Sequence, residues 1–395
     1  MKILFVCHRF PYPPNRGGKI RPFNVINHFH QNGHEVHVAS LSRATDETEA
    51  AHGIAPHCTK YYVEQVNPIM AWIRMLLRLP LPTPSSMGYF YSPRLKKRIQ
   101  QLLSDHQYDL IFVHCSSVAQ YVEDVENVPK IIDFGDMDSQ KWLIYAKTRT
   151  FPLTLGYFWE GKKMERAEKI LADKFDLASC TTRMELSTLD EFGTARQTDW
   201  FPNGVNLDFF EPSAEPYDPD MLGFVGRMDY YPNQEAMIRF CRNVLPLLQT
   251  KRPATKLQII GASPSKNILA LGQLPGVTVT GSVPDVRPFA LKSAVSIAPL
   301  KIARGTQNKI LESMAMGLPV VASTEACKGV DAIPGEHILA ADTPDEYVDH
   351  ILRLLESPER RSLLANAGRE RALSNHNWPA SMQEVDRIVS RIAST

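Results

Sequence analysis

Short apolar runs alternate with segments of helical period along the whole 395-residue chain, and that alternation admits little besides parallel sheets covered by helices. The first run is residues 2–7, and further strands are expected at 34–40, 59–64, 109–113, 130–134, 176–180 and 198–201. Asn32-Gly33 closes the first intervening helix, because glycine tolerates the left-handed conformation past a helix C-terminus, and His34 to Ala39 then alternates as a strand. The pattern restarts at Met221-Leu222-Gly223-Phe224-Val225-Gly226. Strands follow at 256–261, 276–280, 294–298, 319–322 and 337–340, and helices at 233–249, 306–316, 343–356 and 358–374. Between the halves, Pro212, Pro216 and Pro219 space out a linker. The fold class expected is α/β, with two Rossmann-like, doubly wound domains facing a cleft. Their bounds are 1–201 and 202–375, and a C-terminal helix in 376–395 carries apolar Met382, Val385, Ile388, Val389 and Ile392.

Charge and cysteine usage exclude several classes. Lys and Arg number 44 against 43 Asp and Glu, a net +1, so no global field draws the chain to nucleic acid. The 6 cysteines show no CxxC pair and no histidine at metal-ligand spacing, which points to a reduced, cytoplasmic protein with neither disulfide framework nor metal. No run reaches the roughly 18 apolar residues of a spanning helix.

Parallel α/β sheets bind ligands where their strands end, so the loops after strands carry the chemistry. The first loop, Pro11 to Lys19, places Gly17-Gly18 at a helix start beside Arg16, Lys19 and Arg21, a pattern suited to an anion. Its bland alternative is a solvated turn. Gly226-Arg227-Met228-Asp229 ends the first strand of the second half, and Arg227 there is a fork for phosphate oxygens or an ordinary surface arginine. Farther on, Gly305-Thr306-x-x-Lys309-x-x-Glu312 opens a helix with Thr306 as N-cap. Lys309 and Glu312 share one face, either as a diphosphate and ribose site or as a solvated ion pair. In the first half, His114 opens the loop after one strand, and Asp133, Asp136 and Asp138 stand together at the end of the next. Asp136 or Asp138 is a candidate for acceptor hydroxyls, or for a base if the reaction inverts configuration; the bland alternative is a helix cap at Asp138 or Ser139.

Taken in order, Pro202-Asn203-Gly204-Val205, Gly226-Arg227 and Gly305-Thr306-x-x-Lys309-x-x-Glu312-x-x-Ala315-x-Gly317-x-Pro319-Val320-Val321 resemble the retaining glycosyltransferases of family 4, which have the GT-B fold. Gly226 to Asn233 and the opening Arg-Phe-Pro-Tyr-Pro-Pro-x-x-Gly-Gly look more narrowly like sugar transferases of bacterial exopolysaccharide gene clusters. The resemblance implies that the C-terminal helix in 376–395 returns to the N-terminal domain, and that the donor is a nucleoside diphosphate sugar, a UDP-sugar foremost, with no metal and no further cofactor. It assigns Gly226, Arg227, Gly305, Thr306 and Lys309 to the donor diphosphate and Glu312 to the ribose. The Gly17-Gly18 loop then closes over the phosphates or acceptor, His114 joins Arg227 and Lys309 at the catalytic centre, and Arg16, Lys19, Asp136 and Asp138 face the acceptor. One departure stands out: the family commonly has a second glutamate eight residues before this one, and Arg304 occupies that place. A GT-B-fold epimerase or hydrolase, or a non-catalytic nucleotide-sugar-binding partner, are the alternatives.

A local charge anomaly suggests a further partner. Residues 65–104 contain no Asp or Glu but carry +6, and Ile69, Trp72, Ile73, Leu76 and Leu77 make part of the segment strongly apolar. Such a segment within 67–98 either lies on an anionic membrane, as a peripheral protein on the inner face of the plasma membrane would, or packs on the core while its arginines reach solvent.

Overall fold

The computed structural model describes residues 1–14, 17–43, 45–148 and 150–393. Two compact units emerge, Met1–Phe201 with Met382–Thr395, and Pro202–Ser381. In the first, strands β1 (Lys2–Cys7), β2 (Glu35–Ser42), β3 (Lys60–Gln65), β4 (Leu110–His114), β5 (Lys130–Gly135), β6 (Leu177–Cys180) and β7 (Thr198–Trp200) form one parallel sheet in the order β3-β2-β1-β4-β5-β6-β7. In the second, β8 (Asp218–Val225), β9 (Lys256–Ile260), β10 (Val277–Gly281), β11 (Ser293–Ala298), β12 (Val320–Ala322) and β13 (Leu339–Ala340) take the order β10-β9-β8-β11-β12-β13, again all parallel. Each sheet is doubly wound, and its order reverses once, between β1 and β4 and between β8 and β11. Helices on both faces explain why the central strands read as continuous apolar runs: Ile3 to Cys7 and Leu110 to His114 are buried throughout.

The helices used below are α1 (Gly17–Gln31), α2 (Pro68–Leu77), α3 (Asp138–Thr148), α4 (Leu153–Lys174), α5 (Tyr231–Asn243), α6 (Leu245–Lys251), α7 (Asn308–Ala315) and α8 (Trp378–Ala393). The single helix expected over 233–249 is two, because Pro246 lacks the N–H that would continue the ladder and instead sits in the first turn of α6. Helix α8 is capped by Asn377, whose side chain accepts from the Ala380 N–H at 2.7 Å. It leaves the second unit after Ser381 and belongs to the first from Met382 onward. There Met382, Val385, Ile388, Val389 and Ile392 are buried. Arg387 and Arg391 each hold one oxygen of Asp199 at 2.9 Å, and Asp386 meets His28 at 2.8 Å.

Candidate functional site

In the second unit, the strands flanking the reversal run out into Gly226-Arg227-Met228 after β8 and residues 299–307 after β11. A reversal of this kind leaves a crevice at the strand ends. The Gly226 N–H donates to the Ile260 carbonyl at 2.9 Å and the Met228 N–H to that of Ala262 at 2.8 Å, so the loops after β8 and β9 are joined. A Cβ on Gly261 would lie 2.0 Å from the Gly226 carbonyl oxygen, and one on Gly226 would lie 2.8 Å from Asn233 Nδ2 and 3.2 Å from Lys309 Nζ. Glycine at 226 is thus what lets the lysine reach the strand end.

Lys309 Nζ donates to Asn233 Oδ1 at 2.5 Å, and Asn233 Nδ2 donates to the Arg227 carbonyl at 2.8 Å. The ammonium also lies 4.7 Å from the centre of the Phe224 ring. Burial pulls Lys309 down to about 8, and the charge of Glu312 only partly offsets it. Glu312, one turn farther on, has a half-buried carboxylate with no hydrogen-bond partner among the described residues. Burial pushes it up to about 7, against the pull of Lys309. The lysine therefore donates to Asn233 rather than closing a solvated ion pair with Glu312.

Helix α7 begins one residue later than its sequence suggests. Gly305 turns the chain at φ +65°, Gln307 takes the capping position, and no side chain caps the helix, so Thr306 is not the N-cap. The Ile310 N–H already donates to the Gln307 carbonyl at 2.9 Å, and the N–H groups of Asn308 and Lys309 are the first-turn donors left for an anion. Gln307 instead donates to the carbonyls of Arg304 and Gly305, at 3.2 and 3.3 Å. Arg227 forks Asp229 with bonds of 3.0 and 2.6 Å, both side chains nearly half exposed. A pair so exposed is worth about 0–1 kcal/mol, so an incoming anion competes for the guanidinium at small cost.

In the first unit the corresponding reversal brings together His8, just past β1, and His114, the last residue of β4, with ring centres 5.8 Å apart. Burial, with Arg9 and His114 nearby, keeps His8 neutral by driving it well below the usual histidine range. His114 Nδ1 lies 2.8 Å from Asp133, which Arg21 forks at 2.7 and 2.9 Å and Ser179 bonds at 3.3 Å. Arg21 also donates to the carbonyls of Phe201 and Cys180, at 2.8 and 3.2 Å. Burial alone would raise the Asp133 carboxyl, but Arg21 and His114 outweigh it and hold it well below the usual carboxylate range. A fixed anion at Asp133 orients the imidazole with Nδ1–H inward and leaves Nε2 for a ligand.

Several expectations for this half are corrected. Asp133 does not stand at a rim with Asp136 and Asp138; it is fully buried under His114. Asp136 is exposed and accepts from Thr181 Oγ1 at 2.9 Å. Asp138 opens α3 and accepts from Ser116 Oγ at 3.3 Å; burial, aided by Asp136, raises its pKa against Lys141. Lys19 is 2% exposed and paired to Glu47 at 2.7 Å, and Arg21 is committed to Asp133, so neither ammonium nor guanidinium faces an outside anion. Gly17 and Gly18 form the first turn of α1 rather than a loop, and a Cβ on Gly18 would make only an ordinary 3.7 Å contact with Arg9. Arg16 lies outside the described residues. Asn233 was not singled out from the sequence, although its motif, Gly226 to Asn233, was; nothing in the spacing says that an asparagine there bonds a lysine 76 residues on.

Comparison with known proteins agrees with this architecture. The sequence pattern described as Glycosyltransferase Family 4 matches residues 16–209, and that described as Glycosyl transferases group 1 matches residues 219–357. The chain belongs to the GT-B glycosyltransferases of this family 4 and group 1 type, and is an enzyme of transferase class. It is 21% identical over 89% of its length to an uncharacterized 44.6 kDa protein in the cps region of Klebsiella pneumoniae, covering 90% of that protein. Over 61% of each chain it is 24% identical to D-inositol 3-phosphate glycosyltransferase of Nocardiopsis dassonvillei. Among solved structures, sucrose-phosphate synthase from Thermosynechococcus elongatus superposes over 100% of both chains with a TM-score of 0.75 at 18% identity. Anabaena HepE in complex with UDP-glucose superposes over 99% of this chain and 100% of its own, with a TM-score of 0.69 at 14% identity.

Proposed function

We propose that this glycosyltransferase takes its sugar from a nucleoside diphosphate donor, a UDP-sugar foremost, and passes it with retention to a hydroxyl of a glycan or lipid-linked acceptor. The observation that carries this reading is the start of α7: an ammonium, an uncapped helix end and an unpartnered carboxylate, all beside a glycine-lined strand end. As the glycosidic bond to the leaving group breaks, negative charge gathers on the diphosphate. Lys309, Arg227 and the backbone at Gly226, Gly305 and Thr306 meet that charge without a metal, and losing one such contact costs on the order of 10² to 10³ in rate. Glu312 accepts from the ribose hydroxyls. His114 offers Nε2 to a hydroxyl of the transferred sugar, and Asp136 and Asp138 receive acceptor hydroxyls. Support comes from HepE, which was solved with UDP-glucose, and from the Klebsiella relative, which lies in a cps region. The latter favours cell-surface polysaccharide synthesis, with the enzyme on the inner face of the plasma membrane.

A thermal-shift screen against UDP-, GDP-, ADP- and dTDP-sugars tests the reading. A donor at 100 times its Kd stabilises the fold by about 2.7 kcal/mol. One member of the panel is expected to do so in the wild type and to fail with Lys309→Ala; no shift from any of the four contradicts the donor assignment.

A further inference from the structure

Helix α2 is built inside out. Of its residues only Ala71 is buried, while Ile69, Trp72, Leu76 and Leu77 are 71%, 54%, 54% and 67% exposed. Its arginines turn the other way: Arg74 donates to the Tyr91 carbonyl at 2.7 Å and Arg78 to Gln120 Oε1 at 3.4 Å. The core-packed alternative, with arginines in solvent, is therefore reversed. A second apolar surface, absent from the sequence reading, adjoins this one. At the hairpin of α3 and α4, Phe151 is 82% exposed, Leu155 53% and Trp159 59%. Lys163, one turn beyond Trp159, donates to the carbonyls of Arg78 and Leu79 at 3.0 and 2.8 Å, which fastens α4 to the end of α2. Glu160 sits at the join with its carboxylate taken up by Ser85 and Ser86, at 2.7 to 3.1 Å. An open cavity of about 860 Å³ runs between α3 and α4, lined by Leu143, Ile144, Phe151, Leu155 and Phe158 and edged by Lys147 and Lys162.

We infer that α2 and the α3–α4 hairpin form one face that docks on an anionic lipid bilayer. Its charge selects that occupant. Residues 65–104 carry +6, of which Arg74 and Arg78 turn inward, residues 139–159 carry +3, and neither segment contains an acid. Lys97, Arg98, Lys147 and Arg166 are exposed. Exposed tryptophans amid aliphatic side chains, flanked by lysine and arginine, match the boundary between headgroups and acyl chains. A second copy is disfavoured, because a two-fold contact sets this basic surface against itself. No described helix is long and apolar enough to cross a membrane, so the contact is with the surface of the bilayer.

The inference needs no step of sugar transfer and is tested without donor or acceptor, so its failure and that of the proposed reaction are separable. The full chain is floated with vesicles of phosphatidylcholine plus phosphatidylglycerol, and with phosphatidylcholine alone. Flotation is expected with the anionic vesicles, weakening as salt is added. Trp72→Ser with Leu76→Ser, and Phe151→Ser with Trp159→Ser, alter only exposed side chains and leave thermal melting unchanged. Each pair is expected to weaken partitioning by about tenfold or more. The inference is overturned by a chain that stays in the buffer, by equal flotation with neutral vesicles, by flotation that neither pair reduces, or by a wild-type dimer that both pairs dissociate.

Discussion

Lys309 and Glu312 titrate at opposite edges of one narrow window. Binding a diphosphate requires the ammonium, which is lost above about 8; accepting from ribose requires the carboxylate, which is lost below about 7. Nucleotide affinity is therefore expected to peak between the two and to fall about tenfold per pH unit on either side. Glu312→Gln removes the acid limb and, by taking away the charge that partly holds Lys309 up, moves the basic limb to lower pH; calorimetric titration across pH reads both limbs, and a flat profile in the wild type contradicts these roles. Gly226, Arg227, Lys309 and Glu312 were legible in the sequence because their loops carry them in short, ordered motifs. The roles of Asn233 and of the Arg21–Asp133–His114 chain were not. Arg21 meets its carboxylate across 112 positions, and local spacing says nothing about a partner that distant.

At the scale of elements, the central strands were legible because burial on both faces makes them uninterrupted apolar runs, while backbone geometry overrode composition at Pro246, which divides one expected helix in two, and at Gly305, ahead of α7. The α3–α4 surface was missed for the opposite reason. Phe151 to Trp159 has the composition of a core segment, and apolar content alone does not say whether protein or lipid covers it. The same hairpin makes a pH prediction. Glu168 of α4 is fully buried, accepts from the Ser139 N–H at 3.0 Å, and is pushed by burial from 4.5 to about 8. Between those values the unfolded chain ionises this group while the folded one keeps its proton, so stability is lost as pH rises. Urea denaturation at pH 5 and at pH 8 is expected to show that loss, smaller in Glu168→Gln; equal loss in both removes Glu168 as its source.

For the whole molecule, the last helix is the element that makes the first unit discontinuous in sequence. Its five buried apolar side chains and the Asp199 contacts of Arg387 and Arg391 complete that unit. Ending the chain after Ser381 is expected to lower the first unit's unfolding transition and spare the second's, as resolved by scanning calorimetry; an unchanged first transition contradicts this. The central claim, that the start of α7 holds the donor diphosphate, is tested most directly by titrating the nucleoside diphosphate chosen by the screen into wild type, Lys309→Ala and His114→Ala. Lys309→Ala is expected to weaken binding about 100-fold with melting unchanged, since it removes a desolvated charge contact, whereas His114→Ala, directed at the sugar, leaves the nucleotide affinity near that of the wild type. Equal affinity in Lys309→Ala and wild type would contradict the account.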